Sequence, residues 1–106
     1  MTKTYELDKK GRRVIDRDPD SVLDYSADFT DWLALSTDTI AGVTAVPVGC
    51  ALAASKPPPS FVGGLVTAWI SGGVVGADEM PSVTFRITTA AGRVEDSTIY
   101  FKMKDL

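Results

Sequence analysis

From residue 22 onward apolar and polar positions alternate with a period of two. Leu23, Tyr25, Ala27 and Phe29 are separated by Asp24, Ser26 and Asp28, which is the pattern of a strand with one buried face. Thr30-Asp31-Trp32-Leu33 predicts a turn or one short helical turn that folds Trp32 and Leu33 inward. Thr39–Val46 is rich in β-branched residues and predicts a second strand, stopped by Pro47, and Cys50–Ala54 predicts a short third one. Lys56-Pro57-Pro58-Pro59-Ser60 predicts a loop stiffened towards the polyproline conformation. Leu65–Ser71 predicts another strand, followed by a connecting loop through Gly72, Gly73, Gly76 and Pro81. The clearest signal is C-terminal. Val83, Phe85 and Ile87 alternate with polar residues, Thr89-Ala90-Ala91-Gly92 makes a turn, and Ile99, Phe101 and Met103 alternate again, so the two runs form a β-hairpin. No segment of useful length has a helical period.

Short strands at regular spacing imply an all-β fold, and we expect an immunoglobulin-like antiparallel β-sandwich. Trp32 and Trp69 are the expected core anchors, each able to bury about 200 Å². Residues 1–20 break the pattern. They hold six Lys/Arg and five Asp/Glu with few apolar residues, whereas residues 21–106 hold five Lys/Arg and nine Asp/Glu. The division predicts an extended N-terminal arm over 1–20, ordering on a partner, and one domain over 21–106. On this reading, deleting residues 2–17 leaves the domain folded.

Composition then removes whole classes of function. The formal net charge is −3, without the clustered positive field that duplex binding needs, so we expect no nucleic acid. The uncharged run Pro57–Ala77 is long enough to cross a bilayer, but its three prolines and five glycines would interrupt a lipid-exposed helix, so we expect no membrane span. No apolar run follows Met1, which reads as the absence of a secretory signal. There is no histidine, and Cys50 is the single cysteine. The usual general base, the Ser-His-Asp and Cys-His arrangements and a tetrahedral zinc site therefore have no residues to build them. We expect no enzyme, no catalytic residue, no cofactor and no metal. Asp16, Asp18 and Asp20 have the spacing that opens a calcium loop, but Ser21 and Ala27 stand where glycine and glutamate are needed. Asp78-Glu79, Glu95-Asp96 and the glycines at 72, 73 and 76 read as surface and turn residues, and Cys50 as a small buried one.

Two stretches carry a resemblance. "DPDSVLDYSADFTDWLA" at Asp18–Ala34 with "DTIAGVT" at Asp38–Thr44, and "VTFRITTAAGRVEDSTIYFKMKD" at Val83–Asp105, resemble a small virion protein of tailed bacteriophages, the immunoglobulin-like fibre–tail adaptor. The resemblance covers about residues 20–100. It implies a structural protein, made in the host cytoplasm and carried in the virion tail. It also implies several copies, arranged as a ring, that link the tail body to the fibres through protein–protein contacts. Lys9, Lys10, Arg12, Arg13 and Arg17 of the arm are the candidates for contact with acidic partners. Tyr100, on the polar face of its strand, is the aromatic candidate. Two other readings use the same fold. A capsid decoration (cement) protein would bind the head shell in hundreds of copies, and a carbohydrate-binding module would expose its aromatic residues.

Overall fold

The computed structural model describes residues 13–76 and 78–105, together with the backbone of Glu6–Leu7. Two sheets enclose one core. The first runs in the order β1 (Glu6–Leu7), β2 (Arg13–Arg17), β9 (Val94–Met103), β8 (Ser82–Thr89), β4 (Ile40–Val48). The second has β7 (Leu65–Ser71) at its centre. β3 (Leu23–Asp28) lies along one edge of β7, and β5 (Ala51–Leu52) and β6 (Ser60–Val62) share the other. The α1 turn, Thr30–Ala34, is the single described helix.

The period-two pattern produces this arrangement directly. Tyr25, Ala27, Val66, Ala68 and Ile70 face inward from the second sheet, and Val83, Phe85, Ile87, Ile99 and Phe101 face them from the first. Tyr25 and Phe101 meet across the interface with ring centroids 4.8 Å apart and planes tilted by 58°. The core is thus anchored by Tyr25, Phe85 and Phe101. The two tryptophans are only half-buried at its margins, which differs from their expected role.

Three elements differ from the sequence expectation. Arg13–Arg17, read as part of a loose arm, is strand β2. Ile15 and Arg17 alternate inward, and four consecutive residues pair with Tyr100–Met103. That pairing is parallel, so the first sheet is not wholly antiparallel. A parallel neighbour cannot arise from a hairpin. Here the chain leaves β2, crosses to the second sheet as β3, and returns to the first sheet only later. Second, β4 continues through Pro47 to Val48. Thr89 N–H donates to Arg93 O, so residues 83, 85, 87 and 89 bond towards β9. By alternation, 82, 84, 86 and 88 bond towards β4, and their partners 48, 46, 44 and 42 bond back. Pro47 lies between those positions, so its nitrogen faces the free sheet edge, where a missing N–H costs no ladder bond. Third, Ser60–Val62 is a strand that the sequence does not announce. Three residues, all exposed, carry no alternation to read.

Candidate partner-binding surfaces

Lys9, Lys10 and Arg12 lie outside the described residues. The structure separates the other three candidates. Arg13 is half-buried on β2, and its guanidinium donates to the Ser97 hydroxyl on β9. Tyr100 is also half-buried, on the outer face of the first sheet between Val14 and Ser82. Arg17 is 1% exposed and points into the core. It donates to the carbonyls of Gly72 and, at 3.1 Å, of Ser21, and its guanidinium carbon sits 5.4 Å from the centre of the Phe101 ring. A side chain held this way does not present its charge to a partner, so Arg17 is a structural cation. The sequence reading missed this because the charge-dense neighbourhood hides the inward phase of Ile15 and Arg17.

The loop over Arg17 explains a glycine that reads only as a turn residue. Gly73 has φ +106°, and a Cβ there would lie 2.8 Å from the Met103 methyl and 3.3 Å from an Arg17 nitrogen. Only glycine allows the backbone both to take that angle and to close over the cation. At the acidic stretch, Asp16 pairs with Lys104 at 3.0 Å, and Asp18 accepts the Asp20 N–H at 2.8 Å. Among the described residues no three His, Cys, Asp or Glu side chains come together as metal ligands. No described helix is long and apolar enough to cross a membrane. Cys50 is half-buried, burial pushes its thiol up, and Sγ donates to Ser82 O at 3.4 Å.

At one end of the molecule a groove of about 640 Å³ opens between α1, the start of β4 and the β6–β7 turn. Its walls are mostly apolar, from Leu33, Ala34, Ile40 and Phe61. Gly64 sets its width. Its carbonyl accepts the Phe29 N–H at 2.8 Å, and a Cβ at Gly64 would meet the Thr30 backbone at 2.8 Å. Substituting Gly64→Ala is therefore expected to push the β6–β7 turn away from α1 and to destabilise the fold by about 1–3 kcal/mol, the usual range for overpacking. A denaturant titration checks this. Leu35, next in the chain after the lining Ala34, is 84% exposed. The sequence signal for this surface is the apolar residues Leu35 and Phe61 in segments that otherwise read as turn and loop.

One side of the groove is braced by Asp38. Its carboxylate accepts the N–H groups of Thr39 at 2.9 Å and Ala91 at 3.3 Å, and Nε–H of Arg93 at 3.0 Å. The Arg93 guanidinium lies over the Trp32 ring, 4.3 Å from its centroid. The β8–β9 turn, the start of β4 and α1 are thus tied together through one carboxylate. The Thr89 hydroxyl, with the Thr39 N–H, Arg93 and the Ala91 N–H, holds the Asp38 carboxyl down from 3.8 to about 2, against the opposing effect of burial. A lowered folded-state value means that the carboxylate stabilises the fold above about pH 4, and that this contribution is lost as pH falls towards 2. Asp28 and Asp96 are shifted in the same direction, by hydrogen bonds from Thr30 and Arg86. Acid titration of the unfolding midpoint should therefore fall less steeply in Asp38→Asn than in the wild type. Equal slopes would show that Asp38 is not linked to folding.

Most of the inter-sheet core, the buried Arg17 and the Asp38 brace fall between residues 17 and 102. The family model described as Podophage GP4 fiber-tail adaptor protein gp77 matches residues 17–102. The chain belongs to this podophage fiber-tail adaptor family. No curated protein matches the chain. Membership makes the fiber-tail adaptor a structural component of the phage tail, carried in the virion, and its family is not an enzyme family. The match reaches from Arg17 to Lys102, so it covers the second sheet, the α1 turn, the groove, and β4, β8 and most of β9 of the first sheet, and leaves out β1 and all of β2 but Arg17. It begins at the buried Arg17.

Proposed function

We propose that this chain is an immunoglobulin-like domain that sits in several copies, as a ring, at the phage tail and joins the tail body to the fibres by protein–protein contacts. The family match over residues 17–102 carries the reading. The topology supports the immunoglobulin-like part. The order β3-β7-β5 corresponds to the B-E-D strands of that fold, and β9-β8-β4 to its G-F-C strands. β2 is then a first strand that has moved to the opposite sheet, beside the last.

A bridge needs two attachment faces on a rigid body. One candidate face is the outer surface of the first sheet around Tyr100, with the basic residues Lys9, Lys10 and Arg12 just before β2 in the chain; Arg13 shares the inward phase of Ile15 and Arg17. The other is the end that carries the groove. Imaging of intact particles with side-chain detail tests the proposal. About six or twelve copies at the tail, touching both tail body and fibre, is the expected result (small multiples being usual for closed rings). Copies spread over the head would make the chain a decoration protein and overturn the adaptor reading.

A further inference from the structure

The groove beside α1 combines apolar walls with two exposed carboxylates, Asp28 and Asp31, at the start of that turn, while the lining Asp38 is nearly buried and paired with Arg93. Within two residues of any lining position, the charged residues are Asp28, Asp31 and Asp38, and there is no Lys or Arg. Asp28 and Asp31 are exposed. The nearest cation, Arg93, is committed to Asp38 and to the face of Trp32. Leu35, which follows the lining Ala34 at the end of α1, is 84% exposed, and Phe61 lies on the groove's wall; Val62 alternates with Phe61 and points to the other face of β6. Apolar side chains this exposed, rimmed by polar groups, mark docking surfaces on soluble proteins. A volume of about 640 Å³ in an open groove leaves room for a few anchor side chains.

We infer that this groove takes a segment of a partner virion protein that presents large apolar anchor side chains with Lys or Arg beside them. The inference rests on the adaptor reading and assigns one of its two attachments to this end of the domain. The apolar anchors supply the contact by entering between Leu33, Ile40 and Phe61. The flanking cations meet Asp28 and Asp31, which sets the orientation and speeds encounter. A partner with acidic flanks would be repelled by the same two carboxylates. On the outer face of the first sheet the charges are paired, Arg86 with Asp96 at 2.7 Å and Lys104 with Asp16 at 3.0 Å.

The test uses the full-length chain with the purified fibre protein and the purified tail-body protein of the same phage. A double variant, Leu35→Glu with Phe61→Glu, alters one almost fully exposed residue beside the groove and one on its wall that is 37% exposed, and circular dichroism checks that it folds as the wild type does. Val74→Glu, exposed on the loop beyond the opposite end of β7, is the control. The double variant is expected to bind one of the two proteins at least tenfold more weakly and the other unchanged. Asp31→Lys should weaken the same contact, as should added salt. Wild-type binding that the double variant leaves intact would overturn the groove assignment alone. Equal loss towards both proteins, or loss of self-association instead, would also overturn it, the latter making a second copy the occupant. A wild-type chain that binds neither protein would remove the adaptor reading and this inference with it.

Discussion

Removing residues 2–17 is expected to unfold the domain, whereas removing residues 2–12 leaves it folded. The sequence alone suggests the opposite for the longer deletion, because the stretch is dense in charge and poor in apolar residues. The structure puts Ile15 into the core with 4% of its surface exposed and Arg17 with 1%. Losing Ile15 forfeits about 1.5–3 kcal/mol of apolar burial. Losing Arg17 leaves the Ser21 and Gly72 carbonyls without their donor, at about 1–3 kcal/mol for each that stays buried. The edge of β9 also loses its parallel partner along Tyr100–Met103, and Phe101 and Met103 are opened to water. Together these losses approach the whole stability of a domain of this size, about 5–15 kcal/mol. Denaturant titration followed by far-ultraviolet circular dichroism separates the two truncations. A cooperative transition in the chain lacking 2–17, at the wild-type midpoint, would show that β2 does not support the core. Arg17→Ala should fall between the two, and Arg17→Met should be milder because it keeps the volume while losing only the donors.

How far the sequence anticipated the molecule depends on whether a signal was periodic. β3, β7 and the β8–β9 hairpin were legible because burial on one face forces apolar residues to every second position, and nothing interrupts them there. β2 was not legible. Its inward positions are an isoleucine and an arginine, and a buried arginine looks like any surface cation until its acceptors are known. Those acceptors, at Ser21 and Gly72, are 4 and 55 residues away in sequence. β9 is another case. It begins at Val94, five residues before the alternation at Ile99 becomes visible, because its first half pairs with β8 while exposing Val94 and Asp96. The tryptophans misled through size. A large aromatic suggests the centre of a core, yet Trp32 is placed at the margin, where its ring face meets Arg93 and its edge approaches Phe29 at 6.4 Å.

The same limit applies to the surfaces. Charge counts identify a basic stretch, and residues 9–17 do hold five of the chain's eleven Lys/Arg. Counting does not say which of those charges reach solvent, and Arg17 does not. The groove is the converse case. Its walls come from α1, β4 and the β6–β7 turn, three segments that are distant in sequence, and its shape depends on the absence of a Cβ at Gly64. No local pattern encodes such a site. Only the topology, which lays the β6–β7 turn against the start of α1, brings its parts together.

The interior makes the sharpest quantitative claim. Phe101→Ala is expected to destabilise the fold by about 3–5 kcal/mol, at the upper end for a single core truncation. Phe101 has no exposed surface and lies where three interactions converge. Its ring packs against Tyr25 across the two sheets, it forms the apolar surface beneath the Arg17 guanidinium, and it pairs in register with Ile15. Truncation therefore leaves a cavity bounded on one side by a cation. The surrounding strands cannot close over it without dragging β2 off the ladder. Phe101→Leu should cost less, since it fills most of the volume and loses chiefly the ring contacts with Tyr25 and Arg17. If these contacts act together, the double variant Phe101→Leu with Arg17→Met will be less destabilised than the sum of the two single variants, because each single change already removes the stacked pair. Additive effects would instead mean that Arg17 and Phe101 stabilise the fold independently, and that the cation is held by its two carbonyls alone.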